Sequence, residues 1–369
     1  MQDRILTNGV RRSQVLQALS PKVQELIILP TEQCNFRCTY CYEDFIIGKM
    51  TGDVQQGLKN LIEARVPEID VLRLSWFGGE PLVAKDVVLQ VSQLAFDLCR
   101  RYGARLEGGL TTNGYLLKKP LFEKLVDLRQ NHFQISLDGD RDSHDTTRLR
   151  ADGKGTFDRI WENLLALRDC DGEFEVVLRL HVTDANHDSL ESLCRKLYRF
   201  FRHDRRFTPH FHDVRNLGGE GGKTVQRMDP EVYESQTARL GEILAFGEEG
   251  REGAAGMKVT AAPMLGSESS SLVLHEPDGG SRPDDESPQP YICYAARPNS
   301  LLIRANGRVG KCTVALNDTR NDIGRLRKDG TVAIDQEKLG PWIKGMETLD
   351  LDTLGCPLSR MPKQRLAVV

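Results

Sequence analysis

The chain has 369 residues, with 50 basic and 53 acidic side chains and a formal net charge of -3. That length suits one large α/β unit with a smaller appendage, and the near-balance of charge leaves no footprint for nucleic acid or an anionic membrane surface. No run approaches the roughly 20 apolar residues of a membrane-spanning helix, and the opening MQDRILTNGVRRSQ lacks the apolar stretch of a signal peptide, so a cytoplasmic protein is expected.

In chain order, a polar helical segment is expected over 1–23, with its helix at 3–19. VQELIILPT (23–31) follows as a buried strand, because a short apolar run bounded by turn residues suits a parallel sheet. Five more strands are predicted in VLRLSWF (71–77), RLEGGLTTN (105–113), HFQISLDG (132–139), EVVLRLHVT (175–183) and FTPHFHDV (207–214). Between them, 53–65, 87–103, 121–129, 157–169 and 189–201 repeat apolar residues every three or four positions, as helices do. Strand alternating with helix implies a parallel sheet with right-handed crossovers. Six such units are too few to close an eight-stranded barrel, so a partial (β/α)6 TIM-like barrel over 24–245 is expected, with its site at the carboxyl ends of the strands.

After a last helix at 229–246 the composition changes. The Gly, Ser, Pro and acid-rich stretch 246–290 reads as a linker or mobile insertion. From 291 to 369 a small α+β domain is predicted, opening with a hairpin that turns at Asn306-Gly307 and closing with a short helical end. The Gly-rich loop DVRNLGGEGGK, after the sixth strand, is a candidate lid or peptide contact.

Three of the nine cysteines lie within eight residues, as Cys34-x3-Cys38-x2-Cys41, and three more are spread through the last third of the chain. An odd total without an export signal favours metal binding over disulfides. Three thiolates just beyond a strand leave one iron of a cluster open to a bidentate ligand. A zinc site lacking its fourth local ligand, or cysteines that merely fill space, are the alternatives.

The segment TEQCNFRCTYCYE (31–43) resembles the radical S-adenosylmethionine (SAM) enzymes, with an aromatic residue, Tyr40, immediately before the third cysteine. WFGGEPL supplies Gly78, Gly79, Glu80 and Pro81 at the end of the second strand. Thr111, Thr112 and Asn113 end the third, and Ser136 and Asp138 end the fourth. The resemblance implies a [4Fe–4S] cluster on Cys34, Cys38 and Cys41 and a SAM site built by Tyr40, Gly78, Gly79, Glu80, Pro81, Thr112, Asn113, Ser136 and Arg148. Tyr40 is then expected beside the adenine, Ser136 at the ribose and Arg148 at the carboxylate, which a guanidinium fork suits. A surface cation is the plain alternative for Arg148. LRLHVTDAN (178–186) is similar to the fifth strand of peptide-modifying members, which makes Arg179 and His181 weaker candidates. His181 and Asp138 are the catalytic candidates, although a lone strand histidine is more often a satisfied core residue.

Cys293, thirteen residues to Gly307, and four more to Cys312 resemble the start of the SPASM or twitch extension of ribosomal-peptide (RiPP) maturases, with Cys356 following. Ser359 stands where relatives commonly carry a further cysteine. One auxiliary [4Fe–4S] cluster on Cys293, Cys312 and Cys356 is implied, with a structural zinc site as the alternative. Cys99, Cys170 and Cys194 are expected to be buried without function. The resemblance implies a 5′-deoxyadenosyl radical that abstracts hydrogen from a precursor-peptide side chain and leads to an oxidative cross-link. A flavodoxin or ferredoxin would supply electrons, and a separate protein or the barrel itself would recognise the leader. A radical dehydrogenase or epimerase, or a non-enzymatic metal scaffold, are the other readings.

Overall fold

The computed structural model describes residues 10–247, 256–261 and 291–362. The chain begins with α1 (Arg12–Leu19) and enters the sheet through β1 (Val23–Ile28). The first six units follow in order: β2 (Phe36–Cys38), α2 (Gly52–Arg65), β3 (Val71–Trp76), α3 (Lys85–Tyr102), β4 (Arg105–Thr112), α4 (Lys119–Asp127), β5 (Gln130–Leu137), α5 (Arg141–Thr147), β6 (Arg148–Arg150), α6 (Phe157–Arg168), β7 (Glu175–Val182), α7 (His187–Phe201) and β8 (Phe207–Asp213). Strands β1, β3, β4, β5, β7 and β8 pair in that order, all parallel, which is the expected partial barrel.

The helices bury the faces that their periodicity marks. Leu58, Leu61 and Ile62 of α2, Val87, Val91 and Leu98 of α3, and Leu190, Leu193, Leu197 and Phe201 of α7 are all inside. Strands β1 and β3 are buried along nearly their whole length, as strands covered on both faces are.

The structure departs from the sequence reading in five places. Among the described residues the first helix begins only at Arg12, and residues 1–9 lie outside them. The six strands are part of an eleven-stranded sheet. After the four-residue turn α8 (Gly219–Gly222) and α9 (Pro230–Phe246), the short strand β9 (Thr260–Ala261) adds to β8, inside the stretch expected to be a linker. The rest of that stretch, 248–255 and 262–290, lies outside the described residues. At the other edge, β10 (Ser300–Ile303) pairs parallel to β1, so the C-terminal segment continues the barrel's sheet. An exposed edge on β1 would have left a row of backbone donors and acceptors open, and β10 takes them.

From β10 the sheet runs antiparallel through β11 (Arg308–Gly310), β12 (Gly324–Leu326) and β13 (Val332–Ile334). The expected turn is there, with Gly307 N donating to Arg304 O at 2.9 Å. The expected short helical end is a longer helix, α10 (Gln336–Thr348), capped by Asp335. Gly340, Pro341 and Gly345 depress its apparent propensity. Burial of Trp342, Gly345 and Met346 compensates.

One ion pair joins this C-terminal extension to the cysteine loop. Arg304, at the end of β10, donates from Nε to Glu32 Oε1 at 3.1 Å and from Nη2 to Glu32 Oε2 at 2.5 Å, and its Nη1 donates to Leu316 O. The side chains are 5% and 2% exposed, so solvent screens the pair little. Replacing Arg304 by Ala would leave a buried carboxylate without its counter-charge, at a cost of about 3–5 kcal/mol. Urea unfolding should show that loss for Arg304→Ala and a much smaller one for the double change Glu32→Gln, Arg304→Met. Equal losses would show that packing, and not the charge pair, holds the two segments together.

Candidate active site

The loop after β1 carries the three clustered cysteines, and three neighbours fix its course. First, β2 and β6 form a small antiparallel ribbon in which Cys38 stands opposite Arg148, and Thr39 N donates to Thr147 O at 2.9 Å. Second, Glu80 N donates to Gln33 O at 3.0 Å and Gly79 N to Glu43 Oε2 at 2.8 Å. A Cβ on Gly79 would lie 2.3 Å from Gln33 O, so only glycine fits against this loop. Third, the Gly-rich turn α8 lies on the other side. A Cβ on Gly221 would fall 2.6 Å from Thr39 O and 2.7 Å from Cys41 N. The loop expected to be a lid therefore sits backbone to backbone on the cysteine segment.

Cys34, Cys38, Tyr40, Cys41, Gly78, Gly79, Thr112, Asn113, Ser136, Arg148 and His181 all line one cavity of about 170 Å³. It opens among residues at or just beyond the carboxyl ends of the barrel strands, where the fold rule places a site. Glu80 and Pro81 do not line it. Glu80 is fully buried, and its carboxylate accepts from Leu82 N at 2.9 Å, Thr112 Oγ1 at 2.8 Å and Asn113 N at 2.7 Å. It ties the GGEP turn to the end of β4 from behind the wall. Asp138 also stands behind the wall, accepting from Tyr40 Oη at 2.8 Å, Thr147 Oγ1 at 2.7 Å and His181 Nδ1 at 2.9 Å.

Burial alone would raise the Asp138 carboxyl, but His181, Arg148 and His144 outweigh it and hold the group below the usual carboxylate range. An ionised Asp138 fixes the Nδ1–H tautomer of His181 and leaves Nε2 as an acceptor. Arg148 is 7% exposed, which removes the reading as a surface cation. Its Nη1 donates to Tyr40 Oη at 2.7 Å, while its Nε is buried without a partner.

The three thiols suit a soft cationic centre. Burial pushes all three up, Cys41 to about 12, and Cys34 is raised further by Glu80 and by the other two cysteines. A metal that takes the proton's place relieves that cost. Among the described residues, no three Cys, His, Asp or Glu side chains converge as ligands of a single metal ion. In the C-terminal extension, Cys356 is close enough to act on Cys293, and Cys293 and Cys312 both act on the buried Tyr294. Ser359 Oγ donates to Cys356 O at 2.8 Å. Cys99, Cys170 and Cys194 are buried among apolar side chains.

Tyr42, Glu43, His212, Asp213 and Arg215 are polar residues that also line the cavity and that sequence reasoning did not single out. Glu43 is pushed up to about 7 by burial, against the pull of Gly79 N–H. A signal for His212 was present. In register, Arg179 pairs with His210 and His181 with His212, so polar residues two apart on adjacent strands fall on the same face.

Residues 28–197 match the model of the Radical SAM superfamily. This stretch is a radical SAM domain. A GTP 3',8-cyclase of Aliarcobacter butzleri is 32% identical over 126 residues, covering 34% of this chain and 37% of that protein. A cysteine-type anaerobic sulfatase-maturating enzyme of Clostridium novyi is 25% identical over 232 residues, covering 59% of each. The chain thus spans less than two thirds of the length of these curated relatives. Among solved structures, anSMEcpe with bound AdoMet and Cp18Cys peptide superposes with a TM-score of 0.58 at 20% identity, over 86% of this chain and 80% of that one. Streptococcus suis SuiB bound to its precursor peptide SuiA gives 0.57 at 14% identity, over 93% and 73%. These superpositions establish a shared fold that extends past the radical SAM domain into the C-terminal segment. No helix among the described residues is long and apolar enough to cross a membrane.

A buried histidine packs behind Asp138 and Arg148. His144 accepts at Nδ1 from Asp138 N at 3.3 Å, and Thr156 Oγ1 donates to Arg148 O at 2.6 Å, which leaves His144 Nε2 to donate to Thr156 Oγ1 at 3.1 Å. Burial lowers its pKa to about 4. Between pH 4 and the ordinary value near 6.5 the unfolded chain binds the extra proton, so this group's contribution is complete above 6.5 and falls away on acidification. The loss amounts to about 3 kcal/mol by pH 4. Unfolding midpoints taken across that window should fall more steeply for the native chain than for His144→Gln. Parallel profiles would contradict the assignment.

Proposed function

We propose that this chain is a radical SAM enzyme that oxidatively modifies a ribosomally made precursor peptide, forming a cross-link from one of its side chains. The carrying observation is convergence: three cysteines, the Gly78–Gly79 turn, Ser136 and Arg148, from four separate segments, line one cavity. A scaffold built only to hold metal has no use for the last four. In this reading Cys34, Cys38 and Cys41 hold a [4Fe–4S] cluster, and Tyr40, Gly78, Gly79, Thr112, Asn113, Ser136 and Arg148 form the SAM site. Glu80 and Pro81 shape that site from behind. The bound pair supplies one-electron reduction and a carbon radical that takes hydrogen from the substrate.

The chain's own residues do the rest. Arg148, with one guanidinium edge on Tyr40 and Nε unpartnered, offers donors to a carboxylate. His181, oriented by Asp138, presents Nε2 as the acceptor for a proton leaving the substrate. Gly221 and Gly79 press the cysteine loop between two backbones and keep water from its faces. Cys293 and Cys312, which both act on Tyr294, and Cys356, which acts on Cys293, would hold an auxiliary cluster able to accept an electron.

A peptide substrate is supported by the peptides named with anSMEcpe and SuiB. It is also supported by a second cavity of about 340 Å³ between the 216–219 segment and residues 314–318, which shares Tyr42 and Leu217 with the first. A chain passing through the second cavity would place one side chain in the first.

Anaerobically reconstituted protein, given SAM and dithionite, should form 5′-deoxyadenosine. Cys34→Ala, Cys38→Ala and Cys41→Ala should each reduce it to background, by about a hundredfold or more, since loss of a cluster ligand removes the chemistry outright. Changing Cys293, Cys312 or Cys356 to Ala should leave nucleoside formation measurable while abolishing modified peptide. Native protein that carries zinc alone and cleaves no SAM would overturn the reading.

A further inference from the structure

Arg179 is a cavity-lining charge without a counter-ion. It lies on β7, in register with Ser136 of β5 and His210 of β8, and its guanidinium lines the same cavity as the three cysteines. Among the described residues it makes no ion pair, and its Nε is buried with no hydrogen-bond partner. Its neighbours do not supply the missing negative charge. Arg148 repels it, and Tyr42 and Tyr40 are phenols that burial keeps protonated. Asp213 is a carboxylate that acts on it, and that group is already paired with Arg215 at 2.6 Å. Glu43, which lines the same cavity, is committed to Gly79 N.

The contrast with Arg148 is informative. Arg148 also has an unpartnered Nε, but it has Asp138 as a counter-charge and Tyr40 as an acceptor. A guanidinium withdrawn from water without an anion is costly, and a fold keeps one there only if a ligand supplies the charge. Its planar fork of donors matches a carboxylate or phosphate. Of the two, a carboxylate is the anion that a peptide carries in its own side chains and terminus.

We infer that Arg179 forms a carboxylate-binding subsite, which the substrate fills with an acidic side chain or chain terminus. This rests on the proposed radical SAM reading. Arg148 takes the cofactor's carboxylate in that reading, so the anion for Arg179 has to come from the molecule being modified. Substrates carrying a carboxylate next to the reacting residue are then favoured, and the site discriminates between Glu and Gln.

The test uses full-length holoenzyme, reconstituted anaerobically, with SAM present. Binding of acetyl-Ala-Glu-Ala-amide and acetyl-Ala-Gln-Ala-amide is measured by calorimetry for the native protein, Arg179→Gln and Arg179→Lys. The native protein should prefer the Glu peptide by about tenfold or more, as a charge-assisted pair does. Arg179→Gln should erase the preference, and Arg179→Lys, with charge but no fork, should keep part of it. A second arm measures SAM and its decarboxylated analogue. If Arg179→Gln weakens SAM about tenfold and leaves the analogue unaffected, the subsite is real but belongs to the cofactor. If Arg179→Gln, folded by circular dichroism, changes neither the peptide preference nor SAM affinity by more than about twofold, the subsite does not exist. Nucleoside formation by the native protein in the same preparations reports on the radical SAM reading separately, so the two ideas fail independently.

Discussion

The course of the backbone between β1 and Glu43 is the constraint on which the site depends. Three thiols can face one cavity only if the loop that carries them takes a single path, and a loop of this kind has no hydrogen-bond ladder of its own to impose one. The structure supplies the path from outside. The β2–β6 ribbon holds Cys38 opposite Arg148, the GGEP turn bonds to Gln33 and Glu43, and the turn at Gly219–Gly222 closes over Thr39 and Cys41. Two of these contacts are so close that no Cβ fits. Packing of this density gives a loop the rigidity of a core element, which a site that must position a reacting atom within a fraction of an ångström requires.

The electrostatics follow from the same enclosure. Burial raises the thiols, Glu43 and Glu80, and it makes every uncompensated charge expensive. The chain answers locally at most points: Asp138 gathers three donors, Asp213 has Arg215, and Glu32 has Arg304. Among the residues that line the cavity, Nε of Arg148 and Nε of Arg179 are the buried side-chain atoms left without a partner. Unsatisfied groups in an otherwise well-paired interior mark binding positions more sharply than lining residues alone do.

The barrel was legible in the sequence because its signals are short-range. Each strand is an apolar run ended by turn residues, each helix repeats every three or four positions, and all six pairs appear where those patterns lie. The cysteine spacing and GGEP were legible as motifs, yet the work of their glycines was not. Gly79 N is bonded to Glu43, and its missing Cβ makes room for Gln33. Contacts between segments far apart in the chain leave no local trace. Nothing near Gly221 shows that it meets Cys41, nothing in HDTTR shows that Arg148 starts a strand beside Cys38, and α10 is obscured by its own Pro341. His212 was within reach, since a polar residue alternating through an apolar strand is a recognisable pattern.

The continuity of the sheet bears on how the two halves of the chain communicate. A small appended unit joined through a linker would move independently, as domains with modest interfaces do. Here β10 is hydrogen-bonded to β1 along four residue pairs, and the turn that ends β10 carries Arg304, whose fork closes on Glu32 two residues before Cys34. Any displacement of the C-terminal cysteines must therefore either break a parallel strand pair and a buried ion pair or carry the first cysteine loop with it. Both breaks are costly in a water-excluded interior. The spacing between the two cysteine sets is thus fixed by the fold and not by domain motion, with Tyr42 acted on by both Cys41 and the buried Cys312.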